Sequence, residues 1–167
     1  MAADAELALA ALAGAVRGVG CALAADRCWL YARDPATGSG IALVRWLRAA
    51  DVPDVPADLR NWTAEAPDLP DADPLFARAL AGAPADAIAD THAADVHRPL
   101  EDALGHRAFV HLNLHHEGAL VGVLQPGMTG APRAWTETEA LLALRPGLAA
   151  LTAGAVRHRP ESVRLVG

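Results

Sequence analysis

The sequence predicts an α+β fold: a central antiparallel sheet with the N- and C-terminal helices on one face and loops with short helices on the other. Three observations predict it. Both ends carry apolar residues alternately three and four positions apart, the signature of amphipathic helices. Two pairs of period-two segments are joined by turn residues, as hairpins are. The middle is rich in proline and aspartate and has no clear period. At 167 residues, 53% hydrophobic and 20% charged, the chain has the length of one domain able to bury a core without disulfides or metal. Residues 1–160 are expected to form it, with 161–167 as a tail.

The first helix is expected over 4–23, with Leu9, Leu12, Val16, Val19 and Leu23 on one seam. Glycines 14, 18 and 20 weaken its second half. A strand over 26–33 and a second over 41–47 flank Asp34-Pro35-Ala36-Thr37-Gly38-Ser39-Gly40, whose proline and glycines suit a turn. Residues 49–73 read as a surface loop or a set of short helical turns, long enough to suggest a functional or mobile segment. Asp73-Pro74 reads as N-cap and first residue of a short helix that stops at Gly82. A brief strand is expected over 87–89 and a helical turn over 100–104. Strands over 107–115 and 119–125 are joined by a tight turn at His116-Glu117-Gly118. The last helix is announced by Thr136 and Glu139 at capping-box spacing. Leu141, Leu144, Leu148, Leu151 and Ala155 continue its seam, and Pro146 is expected to kink it.

Composition narrows the function. The formal net charge is −6, and the 14 basic residues are all arginine and scattered singly, so no nucleic-acid footprint is visible. No run of about 18 uninterrupted apolar residues appears, and the acidic start is unlike an export signal. A soluble, cytoplasmic protein with no membrane partner is expected. Cys21 and Cys28 match no metal or redox spacing and read as free, buried thiols.

Ala25-Asp26-Arg27-Cys28-Trp29-Leu30-Tyr31 resembles the opening strand of GAF domains. Gly118-Ala119-Leu120-Val121-Gly122-Val123-Leu124 resembles their Gly-x-Leu-x-Gly-x-Leu strand. Pro132-Arg133-Ala134-Trp135-Thr136-Glu137-Thr138-Glu139 resembles the entry to their last helix. With the element order, the resemblance covers roughly residues 5 to 158 and implies a GAF/PAS-like fold with a sensing role. The last two strings are most similar to the phytochrome and cyanobacteriochrome branch, which binds a linear tetrapyrrole through a cysteine followed by histidine. The corresponding pair here is Val96-His97, so the attaching cysteine is absent and no covalent pigment is expected. Asp51-Val52-Pro53 resembles a pigment-contacting tripeptide of phytochromes only weakly.

Side chains alternate across a sheet, which separates its faces by parity. Cys28, Leu30 and Ala32 form an apolar face with Ala108, Val110, Leu112 and Leu114, suited to the helix seams. Trp29, Tyr31, Phe109, His111 and Asn113 fall on the other face and are the expected lining of a small-molecule site. Arg33 and His97 join them as candidate ligand-binding residues. With Arg45 and His92, they offer charge complementarity to an anionic ligand. The same residues suit a solvated sheet face equally well.

No metal site is expected, because His115 and His116 point to opposite faces and no ligand set completes His111. Gly38-Ser39-Gly40 is a turn rather than a nucleophile elbow, and neither cysteine is placed for sulfoxide reduction. The expected function is therefore a non-catalytic, small-molecule-sensing signal-transduction domain, with no cofactor named and the ligand unspecified. A small-molecule ligand and a second copy of the chain, as a homodimer, are the expected partners; the rival function is a purely structural homodimer formed through the terminal helices without a ligand. A non-covalent tetrapyrrole site is the third reading.

Overall fold

The computed structural model describes residues 2–158 and 164–166. Helix α1 (Ala2–Ala22) opens the chain. Leu9, Leu12, Val16, Val19 and Leu23 are all buried, within one core cluster that includes both terminal helices and the sheet. The seam is thus spent inside the molecule. By length and composition α1 is also apolar enough to cross a membrane.

Strands β1 (Arg27–Asp34) and β2 (Ser39–Leu47) form the first hairpin. The middle segment takes the form of short helical turns, the second of the two expected readings, with one short strand added. It holds a 3-10 turn (Ala57–Arg60), a two-residue strand β3 (Thr63–Ala64), and the short helix α2 (Leu69–Ala72). Helix α3 (Pro74–Leu80) follows, capped by Asp73, whose carboxylate accepts from the Leu75 N–H at 3.0 Å. Then come β4 (Ala85–Ile88), α4 (Arg98–Leu104), β5 (Ala108–His116) and β6 (Ala119–Met128). Glu117 and Gly118, at φ +51° and +79°, make the two-residue turn that twisted hairpins favour.

The strand order is β3-β2-β1-β6-β5-β4. A final strand β7 (Arg164–Val166) runs parallel to β2 beside Val44–Trp46. Part of the expected 161–167 tail is therefore strand; 161–163 and Gly167 lie outside the described residues. The register slips between Leu30 and Tyr31 against β2, and between Leu114 and His115 against β6. Each slip inserts one extra residue, Leu43 or Val121, which is why those strands carry consecutive apolar residues instead of strict alternation.

The C-terminal helix departs from expectation. It is two helices, α5 (Thr138–Leu142) and α6 (Arg145–Arg157). Thr136 is not the cap; Glu137 precedes α5 without a side-chain cap bond, and its Oε2 instead accepts from the Thr136 N–H at 2.9 Å. Pro146 does not kink a continuous helix. It lies in the first turn of α6, where a backbone N–H has no intrahelical partner to lose. Cys21 is likewise corrected: it is exposed on α1, while Cys28 is buried.

The helix face of the sheet packs Cys28, Leu30, Ile41, Leu43, Val110, Leu112, Leu114 and Leu124 with Leu148, Ala149 and Val156 of α6. The opposite face, covered by the middle elements, holds smaller clusters around Trp29, Phe76 and Phe109.

Candidate functional site

On the loop-covered face, register sets Trp29 of β1 opposite Gln125 of β6, and Tyr31 opposite Val123. These four residues floor a cavity of about 130 Å³. Its other walls come from Leu59, Leu69, Asp73, Phe76, Leu100, Glu101, Leu104 and His111, so the 3-10 turn, α2, α3 and α4 roof the sheet. Gly40 shapes the floor. A Cβ there would lie 2.1 Å from the Tyr31 ring, so only glycine lets that ring lie flat over β2.

Trp29 is 2% exposed and its Nε1–H points to His106 Nε2 at 3.4 Å. Because Nε2 accepts, the His106 proton sits on Nδ1 and is donated to Glu101 Oε2 at 2.8 Å. Burial holds His106 neutral, far below the ordinary histidine range. Burial also pushes Glu101 up to about 7, although His97 and Arg27 nearby favour its ionised form. Arg27 is buried behind this pair, donating from Nη1 to Pro53 O at 2.9 Å and from Nη2 to Leu104 O. Its Nε has no partner, and burial lowers it to about 10.

His111 Nδ1 lies 2.7 Å from Asn113 Oδ1. The Asn113 amide donates through Nδ2 to Ala83 O at 2.8 Å, which aims its oxygen at the imidazole. His111 is therefore protonated on Nδ1, and Nε2 keeps a free lone pair. Burial lowers its pKa to about 4, with Asp73 among the groups opposing that shift. Burial pushes Asp73 up, with its backbone cap bonds opposing. Gln125 is 6% exposed, lines the cavity and makes no side-chain hydrogen bond among the described residues.

The expected site residues separate into two groups. Trp29, Tyr31 and His111 meet at the cavity. Asn113 is fully buried behind His111, and Phe109 stacks on His106 at 4.4 Å within a cluster with Leu75 and Ile88. Arg33 is spent on Glu65, with contacts of 2.8 and 3.1 Å, and its guanidinium sits 5.7 Å over the Phe76 ring. The same Glu65 accepts from the Tyr31 hydroxyl at 3.1 Å, and burial raises that phenol's pKa. His97 precedes α4 without capping it and does not line the cavity. Arg45 is paired with Asp54 at 2.8 Å, and His92 is exposed. The charge complementarity to an anion expected from these side chains is thus absent from the lining.

Sequence reasoning missed Asp73, Glu101, His106 and Gln125 as site residues. Parity alone marks Gln125, two residues beyond Val123 on the same face. Among the described residues no group of three or more His, Cys, Asp or Glu side chains is placed to hold a metal.

No protein-family model and no curated protein sequence matches the chain. Solved structures do. The GAF domain of Thermosynechococcus elongatus PixJ, in its blue-light-absorbing form, matches at TM-score 0.71 and 20% identity, over 95% of this chain and 92% of that one. The GAF domain of a Coxiella burnetii phosphoenolpyruvate-protein phosphotransferase matches at TM-score 0.63 and 21% identity, over 90% and 85%. The free methionine-R-sulfoxide reductase of Neisseria meningitidis matches at TM-score 0.62 and 16% identity, over 90% and 81%. The order of helices and strands, the loop-roofed cavity and these matches agree: the chain has the fold of GAF domains.

Proposed function

We propose that this chain is a non-catalytic sensor domain of a signalling system, which binds a small molecule between the sheet and the middle elements. The observation that carries the reading is the roofed cavity itself, aromatic and aliphatic apart from Asp73, Glu101, His111 and Gln125, the last making no side-chain hydrogen bond among the described residues. A ligand in the cavity supplies the hydrogen bonds that the Gln125 amide does not make within the protein. The lining contains no Ser, Thr or Cys nucleophile. Cys28 lies on the helix side with its thiol pKa pushed up by burial, and Cys21 is exposed on α1. Neither thiol is placed to attack a molecule in the cavity.

A tetrapyrrole fits this site poorly. About 130 Å³ is close to the roughly 150 Å³ that accepts benzene, whereas a bilin has four linked rings. Val96, at the position matched to the attaching cysteine, packs with Phe109, Leu75 and Ile88.

Thermal-shift screening of a metabolite library tests the reading, since a ligand that binds only the folded state raises the melting temperature with its concentration. Val123→Phe fills the cavity from its floor and is expected to abolish the shift of every hit while the protein stays folded. Hits that survive this change bind elsewhere and overturn the site. Protein purified after co-expression with bilin synthesis is expected to show no visible absorbance.

A further inference from the structure

We propose that the ligand of this cavity is a small organic cation, an ammonium or amidinium group carried on an aromatic or branched aliphatic body about the size of a benzene ring. The inference rests on the sensor reading above and names the chemistry of that site.

The polar lining is built almost wholly of acceptors. Glu101 uses Oε2 for His106, and Oε1 takes no hydrogen bond. Asp73 contributes a second carboxylate, engaged through Oδ1 with the start of α3. His111 has its proton committed to Asn113, so the nitrogen left over accepts. Gln125 adds an amide on the sheet floor, 6% exposed, that makes no side-chain hydrogen bond among the described residues and offers an acceptor oxygen beside its N–H donors. A ligand satisfying this set must be rich in donors.

Charge points the same way. No arginine lines the cavity, and the chain has no lysine. Arg33 and Arg45 are held by Glu65 and Asp54. Arg27 lies behind Glu101 with its Nη groups on backbone carbonyls, so it offsets part of the Glu101 charge without reaching the ligand. The carboxylate of Asp73 has only the neutral His111 as a nearby titrating partner of opposite tendency. An anion entering here meets two carboxylates and no cation, an arrangement that burial makes costly. A cation meets both carboxylates and a lining that includes the aromatic rings of Trp29 and Tyr31, which attract positive charge and cover an apolar body; the Phe76 ring already carries the Arg33 guanidinium.

Titration calorimetry on the intact chain at pH 8, with benzylammonium, benzyl alcohol and benzoate as matched probes, tests this. Benzylammonium is expected to bind about tenfold or more tightly than benzyl alcohol, with benzoate weakest, the margin of a charge-assisted over a neutral hydrogen bond. Asp73→Asn keeps a capping side chain and Glu101→Gln keeps an acceptor for His106. Each is expected to shrink the preference for the ammonium while leaving alcohol binding intact. Benzoate binding as tightly as benzylammonium, or an unchanged preference in both variants, overturns the cation assignment and leaves the sensor reading standing. If no probe shifts the Gln125 side-chain amide resonance at millimolar concentration, the pocket itself is not a binding site and both readings fall.

Discussion

At the scale of single residues, the least typical feature is a buried carboxylic acid beside a buried neutral imidazole. Glu101 faces His106, Arg27 and His97, with Asp102 on its own helix. Its folded pKa of about 7 lies above the ordinary 4.5, so the folded state holds a proton that the unfolded chain releases. Stability from this group is fully present below about pH 4.5 and is lost as pH rises through 7. His111 acts oppositely: its folded pKa of about 4 lies below 6.5, so stability is lost as pH falls through that window, and His106 adds in the same direction. Glu101→Gln removes the first effect and keeps the second. The variant is expected to be more stable than the parent at pH 8, by about 1–3 kcal/mol on the rule that one pKa unit is 1.36 kcal/mol, and to converge with it at pH 4.5. Urea midpoints across pH 4–9 check this; a variant less stable at pH 8 refutes the burial of an unfavourable charge. Nothing in the sequence signals that charge, because Glu101 sits between Leu100 and Asp102 on a helix where an acidic residue ordinarily faces water.

Elements show where local sequence and tertiary packing disagree. The two hairpins and α1 were legible because their signals are local: alternation, turn residues and a three-four seam. The C-terminal helix was misread because its seam continues in spacing from Leu141 to Ala155 while the backbone breaks at Ala143 and Leu144. Pro146 is the informative residue. In the interior of one helix it would cost about 3 kcal/mol, and alanine would recover it. In the first turn of α6 it breaks no hydrogen bond and restricts the unfolded chain, so Pro146→Ala is expected to destabilise by about 0.4–1 kcal/mol. The sign of the change in denaturation midpoint decides between the two. The cap of α3 is a local signal that was read correctly, and Asp73→Ala is expected to cost about 1 kcal/mol while Asp73→Asn costs little.

Across the whole molecule, the sheet separates two different environments. The helices α1 and α6 cover one face with aliphatic packing, and the middle elements cover the other around the cavity. Parity assigned the strand residues to these faces, which is why Trp29, Tyr31 and His111 were legible as lining. It carried no information about which middle residues would roof them, because the segment from Ala57 to Leu104 folds as six short elements whose placement depends on contacts distant in sequence. The same division sets what ligand binding can order. A molecule held by Glu101, Asp73 and Gln125 ties α4 and the start of α3 to the sheet floor, and Leu59 and Leu69 bring the 3-10 turn and α2 into the same unit. Short elements with few buried residues open locally at low free-energy cost, so binding suppresses their opening first. Saturating benzylammonium is expected to slow amide hydrogen exchange in residues 57–60, 69–80 and 98–104, while α1 and α6 keep their rates. Slowed exchange confined to α1 and α6 would instead place the ligand in the apolar groove between Val19, Leu144 and Leu148, on the opposite side of the sheet from every acceptor described above.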